Sequence, residues 1–161
     1  MRAITILCVG SLKETYLREA CAEYEKRLSA FCSLRIVEVP EERLPDDPSP
    51  AEISRTIEAE GARLSAKIAK NAVVAAMCIE GEIFSSETFS EKLAAMMAEE
   101  TGSELCFVIG GSYGLSETIK NRAALRLSLS RMTFTHQISR ILLLEQIYRA
   151  FQIRSGGKYH K

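Results

Sequence analysis

The chain has 161 residues, 47% of them apolar, and its 21 Lys and Arg balance 21 Asp and Glu. That length and composition suit one globular domain with its own core, and the zero net charge excludes a protein that coats nucleic acid non-specifically, because such affinity grows with each phosphate neutralised. No apolar run approaches the roughly 20 residues that cross a bilayer, and residues 1–13 lack the small-residue cleavage site of a signal peptide.

The first element in chain order is a strand, Ala3-Ile-Thr-Ile-Leu-Cys-Val9, ended by Gly10. Leu17, Cys21, Tyr24 and Leu28 recur at spacings of three and four, which predicts an amphipathic helix over residues 12–28. A second strand at 32–39 closes at Pro40, and all four prolines lie in a loop at 40–50. From Glu38 to Glu60 eight acids face two bases, a solvated side that repels phosphate. Ile53, Ile57, Leu64 and Ile68 share one side of a second helix that ends near Lys70-Asn71. A third strand covers 72–79 and is stopped by Glu80-Gly81. Ser85 or Ser86 can cap a third helix over 87–100, with Thr101-Gly102 as its stop. Leu105-Cys-Phe-Val-Ile109 is a fourth strand. Ser116 caps a short helix, residues 125–130 form a weaker fifth strand, and Thr135 caps a long final helix. Strands alternating with helices predict a single α/β domain over residues 1–161, its mainly parallel sheet flanked by helices. The five cysteines, Cys8, Cys21, Cys32, Cys78 and Cys106, form no CxxC pair and sit mostly in apolar runs. That predicts buried thiols in a reducing cytoplasm rather than a zinc site or a disulfide framework.

Chemistry concentrates late in the chain. Gly110-Gly111-x-x-Gly114 follows directly on the fourth strand. Glycines let backbone N–H groups approach a ligand, and open α/β sheets bind ligands outside the C-terminal ends of their strands. The same pattern also fits a tight structural turn. It is no dinucleotide fingerprint, since Ile109 stands where a glycine is needed and no P-loop lysine follows. From Arg131 onward six Lys or Arg meet one acid, Glu145, and the sequence closes with Lys158-Tyr-His-Lys161. A basic, aromatic tail beside a loop of small residues suits an anionic substrate meeting a cofactor. His136 and His160 stand 24 residues apart without a cysteine at ligand spacing, which argues against zinc. No Gly-x-Ser-x-Gly elbow is present. Glu145 reads either as the i,i+4 partner of Arg149 or as a catalytic acid, and Tyr148 has the spacing of a core residue. These features define a ligand loop and a basic tail without naming a reaction.

The segments Ile109-Gly-Gly-Ser-Tyr-Gly-Leu-Ser116, Ser128-Leu-Ser130 with Thr133, His136 and Arg140, Leu144-Glu145-Gln146-x-Tyr148-Arg149-Ala150, and Tyr159-His160 together resemble the small SPOUT-superfamily methyltransferases. Among these the chain is similar to the ribosomal large-subunit pseudouridine N3-methyltransferases, over its whole length and most specifically in its last sixty or so residues.

The resemblance implies an α/β sheet whose final segment threads a loop to make a trefoil knot, a path that connection rules alone would not propose. It implies S-adenosylmethionine as cofactor, held by Met77, by Gly110 and Gly111, and by the loop Ser130, Arg131, Met132, Thr133, Phe134 and Thr135. It further implies a cytoplasmic homodimer, with the final helix in the interface and the tail of one subunit completing the site of the other. The expected substrate is a pseudouridine of 23S rRNA in the ribosome, with no metal and no membrane involved. Tyr159, His160, Lys161 and Arg149 are then expected to position substrate and assist loss of the imide proton, with Arg154, Arg140 and His136 as substrate contacts; Arg140 could equally serve the dimer and His136 the cofactor loop. Lys161 is a departure, since Arg also occurs there in relatives; Lys keeps the charge but not the planar fork. Rival expectations are a SPOUT enzyme acting on another RNA such as tRNA, and a ribosome-binding module without catalysis.

Overall fold

The sheet is assembled from β1 (Ala3–Val9), β2 (Ser33–Val39), β3 (Val73–Ile83), β4 (Leu105–Ile109) and β5 (Leu125–Ser128). Between them lie α1 (Thr15–Leu28), α2 (Pro50–Ser65), α3 (Ser86–Ala98) and α4 (Glu117–Arg122), and α5 (His136–Arg154) follows β5. In this computed structural model residues 2–98 and 104–160 are described. The strands run in the order β2-β1-β4-β3-β5, and every pairing is parallel. All five residues of β4 are buried. Such a strand carries no polar–apolar alternation because helices cover both of its faces.

Two apolar layers result. On one face Ile4, Ile6, Phe107 and Leu127 pack with Leu17 and Cys21 of α1, Phe89 and Leu93 of α3, and Leu143, Leu144 and Ile147 of α5. On the other, Leu7, Val74 and Val108 meet Leu64 of α2 and Ile119 of α4. The last helix therefore lies between α1 and α3. Leu143, Leu144 and Ile147 are each 0% exposed, and burying such a side chain stabilises by about 1.5–3 kcal/mol. Ser90 of α3 donates to the Ala150 carbonyl at 2.9 Å, so the buried hydroxyl also ties α3 to α5.

Element order and type follow the sequence, with differences at the ends. α1 starts at Thr15, not residue 12, and the Arg18 guanidinium, donating to the Leu12 and Lys13 carbonyls, holds that stretch outside the helix. α2 starts earlier, at Pro50, where Ser49 and Glu52 form a reciprocal capping box and proline needs no N–H partner. It ends at Ser65. Glu80-Gly81 does not stop β3. The strand continues to Ile83 after an irregularity in which Met77 and Glu82 both pair with Leu127. Gly81 makes this fit, since a Cβ there would lie 2.7 Å from the Arg126 backbone. β5 is shorter than expected and ends at Ser128. Ser85, whose hydroxyl accepts the Thr88 N–H at 3.1 Å, starts α3. The expected end of that helix, with Thr101-Gly102, lies outside the described residues. Cys8, Cys21, Cys32 and Cys106 are buried free thiols, and Cys78 is half-buried. Burial raises the Cys8 and Cys106 thiols to about 12, so they stay protonated and inert.

Candidate functional site

The C-terminal ends of β3, β4 and β5 open into a cleft of about 850 Å³. Its walls are residues 110–115 after β4, residues 129, 130 and 132–135 after β5, the first turn of α5, and the start of α1. The glycine segment is both things its sequence allowed: a tight turn and a cleft wall. The Gly114 N–H donates to the Gly111 carbonyl at 3.1 Å, and a Cβ on Gly110 would stand 2.6 Å from the Gly114 carbonyl carbon and oxygen. Ser116 ends the segment by capping α4 through the Ile119 N–H.

Hydroxyls shape the second wall. Ser128 donates to the Ser130 carbonyl at 2.9 Å, and the Ser130 hydroxyl accepts the Met132 N–H at 3.0 Å. Thr135 caps α5 by accepting the Ile138 N–H at 3.3 Å. These are side-chain substitutes for strand and helix bonds, which suits small hydroxylic residues to such a loop. Of the residues expected to hold a cofactor, Met77, Gly110, Gly111, Ser130, Met132, Thr133, Phe134 and Thr135 all line the cleft. Arg131 is exposed and does not.

His136 also lines the cleft. Burial, with Arg140 and Lys13 nearby, pulls its imidazole below the ordinary value against the opposing pull of Glu41. It is therefore neutral near pH 7. Arg140 is 2% exposed. It donates to Glu38 at 2.5 Å and to the Gly10 carbonyl at 3.1 Å, which ties α5 to the ends of β2 and β1. Its Nε is buried without a hydrogen-bond partner.

The tail forms a second cluster, outside the cleft lining. Arg149 donates twice to Glu145 Oε1, at 3.0 and 2.6 Å, so Glu145 is its i,i+4 partner. Tyr159 donates to the same oxygen at 3.1 Å. Gln146 donates to Glu145 Oε2 at 2.7 Å and accepts from Ser86 at 2.8 Å. The Tyr159 ring meets Tyr148 edge-on at 4.9 Å, with the Arg149 guanidinium 4.6 Å from its centre. His160 Nδ1 lies 3.3 Å from Arg149 Nη1, and its Nε2 lies 2.8 Å from Glu87. A guanidinium can only donate, so Nδ1 accepts and the proton sits on Nε2, facing Glu87. Burial and the Tyr24 and Glu145 contacts raise the Tyr159 phenol, which stays neutral. Arg154 is exposed in the last turn of α5, apart from both clusters. Lys161 lies outside the described residues.

Sequence reasoning passed over Lys13, Glu14 and Tyr16, which border the cleft. The signal that could have found them was present: they follow the apolar strand that ends at Gly10, and ligands gather where such strands end. Among the described residues no group of three or more His, Cys, Asp or Glu is placed to hold a metal, and no helix is long and apolar enough to cross a membrane.

Small residues after the fourth and fifth strands thus help wall a cleft at the C-terminal ends of an all-parallel sheet, where open α/β folds bind ligands. The chain belongs to the SPOUT methyltransferase family, whose model, described as "Predicted SPOUT methyltransferase", matches residues 1–160. It is 48% identical over 158 residues to the ribosomal RNA large subunit methyltransferase H of Leuconostoc mesenteroides, covering 98% of this chain and 99% of that one. The proteins of the same name from Streptococcus equi subsp. zooepidemicus and Streptococcus pneumoniae are each 46% identical, again over 98% of this chain and 99% of theirs. Among solved structures, a probable methylase family protein from Haemophilus influenzae superposes with a TM-score of 0.53 at 11% identity, over 96% of this chain and 67% of that one. At that identity the likeness speaks for the fold alone.

Proposed function

We propose that the protein transfers a methyl group from S-adenosylmethionine to N3 of a pseudouridine in 23S rRNA, on assembled ribosomes. The observation that carries this is the conjunction of the glycine- and serine-walled cleft with near-full-length identity to large-subunit rRNA methyltransferases. The cleft suits the cofactor: about 850 Å³ is within the range of small-molecule sites, glycines and short hydroxylic residues are part of its lining, and the histidine in it is uncharged. Gly110, Gly111, Ser130 and residues 132–135 would hold adenosine and Met77 would flank it, while the 129–135 segment and α5 would thread the knot typical of the family. When bound, the sulfonium supplies a methyl carbon already activated for nucleophilic attack.

The chain's own residues then have three tasks: to exclude water, to align the imide nitrogen, and to favour loss of its proton. Arg149, and Lys161 beyond the described tail, stabilise the imide anion by charge. Tyr159, held as a phenol, donates a hydrogen bond and cannot take the proton. His160 is fixed between Glu87 and Arg149, and accepting a proton on Nδ1 requires release of the Arg149 bond. Arg154 reaches phosphate from the exposed end of α5. The tail and the cleft are joined in a homodimer, in which the tail of one subunit faces the cleft of its partner. The exposed apolar rim favours this arrangement: Met132 is 73% exposed, Ile79 53% and Ile138 43%, and a surface of that kind seeks a cover.

The test is transfer of labelled methyl groups from S-adenosylmethionine to whole ribosomes, free large-subunit RNA and bulk tRNA, followed by mapping of the modified nucleotide. Label on a large-subunit pseudouridine, with ribosomes only, is expected. Label on tRNA would keep the chemistry and overturn the substrate.

A further inference from the structure

α2 lies across the sheet from α5, and none of its residues lines the cleft. It nevertheless makes the closest side-chain approach to the cleft's glycine wall. Glu60 is 3% exposed. Its Oε2 accepts the Glu42 N–H at 2.9 Å, and its Oε1 packs so closely beneath Gly111 that a Cβ there would come within 2.8 Å of it. Gly61 abuts the far end of the same segment, where a Cβ would meet the Ser116 hydroxyl at 2.5 Å. One edge of α2 thus touches residues 111 and 116 together. Arg63, one turn on, donates to the Pro40 carbonyl at 3.0 Å and pairs with Glu42, so the same helix also fixes residues 40–42.

A carboxylate is an expensive way to fill such a space. Burial pushes the Glu60 carboxyl above its ordinary value, only partly offset by the Glu42 N–H. An apolar side chain of similar volume would pack there at lower cost. What the carboxylate adds is a hydrogen bond to one loop and a close van der Waals contact with another, and both loops edge the functional end of the sheet.

We propose that Glu60 is a positioning residue for cofactor binding: it sets the height of the Gly111 backbone in the cleft wall and links that wall to residues 40–42. This rests on the reading that Gly110 and Gly111 hold S-adenosylmethionine. The experiment is calorimetric titration of S-adenosylmethionine into the full chain and into Glu60→Gln, Glu60→Ala, Gly111→Ala and the Gly111→Ala/Glu60→Ala double variant, with a melting curve for each. Glu60→Ala is expected to weaken binding about tenfold, since small displacements of positioning groups cost that much or more, whereas Glu60→Gln, which keeps the shape and can still accept the Glu42 N–H, should retain most of the affinity. Glu60→Gln should melt at or above the parent, because a buried charge is gone. The double variant should regain part of the affinity lost in Gly111→Ala, as the new Cβ no longer meets Oε1; that non-additivity is the signature of direct coupling. Parental affinity in Glu60→Ala, or strict additivity in the double variant, overturns the proposal, and a lowered melting point with parental affinity leaves Glu60 a purely structural residue. A parent chain that binds no S-adenosylmethionine overturns the cofactor reading itself, and this inference with it.

Discussion

Around residues 110–116 and 129–135 the cleft is walled by backbone: glycines admit close approach, and short hydroxyls replace missing main-chain bonds. At the end of α5 the holding is done by side chains, with Glu145 receiving Arg149, Gln146 and Tyr159 at once. The first kind of site fails when a Cβ is added; the second fails when a charge or hydroxyl is removed. α5 joins them, since its first turn borders the cleft and its last turns carry the tail cluster.

The largest effect should come from breaking that joint. Leu144→Ala, at a position 0% exposed, is expected to cost about 2–5 kcal/mol in denaturant unfolding, and to weaken cofactor binding and methyl transfer together. Gly110→Val should separate the two regions, lowering cofactor affinity by about 100-fold or more, because its side chain would run into the Gly114 carbonyl. The tail contacts should survive this change, which the His160 resonances would show. Glu145→Gln is the mirror image: cofactor affinity by calorimetry stays parental while methyl transfer to ribosomes falls about tenfold or more. Loss of cofactor binding in that variant would mean the two regions are not independent. The smallest effect concerns pH. The Glu87 backbone N–H, then His160 and Ser85, hold the Glu87 carboxyl down from 4.5 to about 2. A depressed carboxylate contributes above its unfolded value, so tail ordering should be intact above pH 4.5 and fade as pH falls toward 2. Glu87→Gln should abolish that dependence with little change in melting point.

Much of the scaffold was legible because local signals agreed with the fold. β4 is an unbroken apolar run and β1 one interrupted only by Thr5, and Ser116 and Thr135 cap the helices they precede. The continuation of β3 past Gly81 was not, because it depends on how closely β5 passes, and β5 lies more than forty residues further on. The glycine wall was legible as glycines after a strand, whereas its support was not: nothing in the local sequence of Glu60 marks it as buried beneath Gly111. Arg140 illustrates the same limit. Its charge reads as a contact for substrate or for the dimer, and the partners it has within the chain, Glu38 and Gly10, are brought to it only by the completed sheet.

The parallel pairing of β1 with β4 joins Ile4 to Leu105. Translation proceeds at about 5–20 residues per second, so an emerging chain waits roughly 5–20 seconds before the strand that fills the middle of its sheet has been made. During that time β1 and β2 can pair, but the other edge of β1, fully apolar on both faces from Ile6 to Val9, stays open to any passing strand. The fold is thus most exposed to aggregation while the chain is still being made, because its central pairing spans about a hundred residues and closes late.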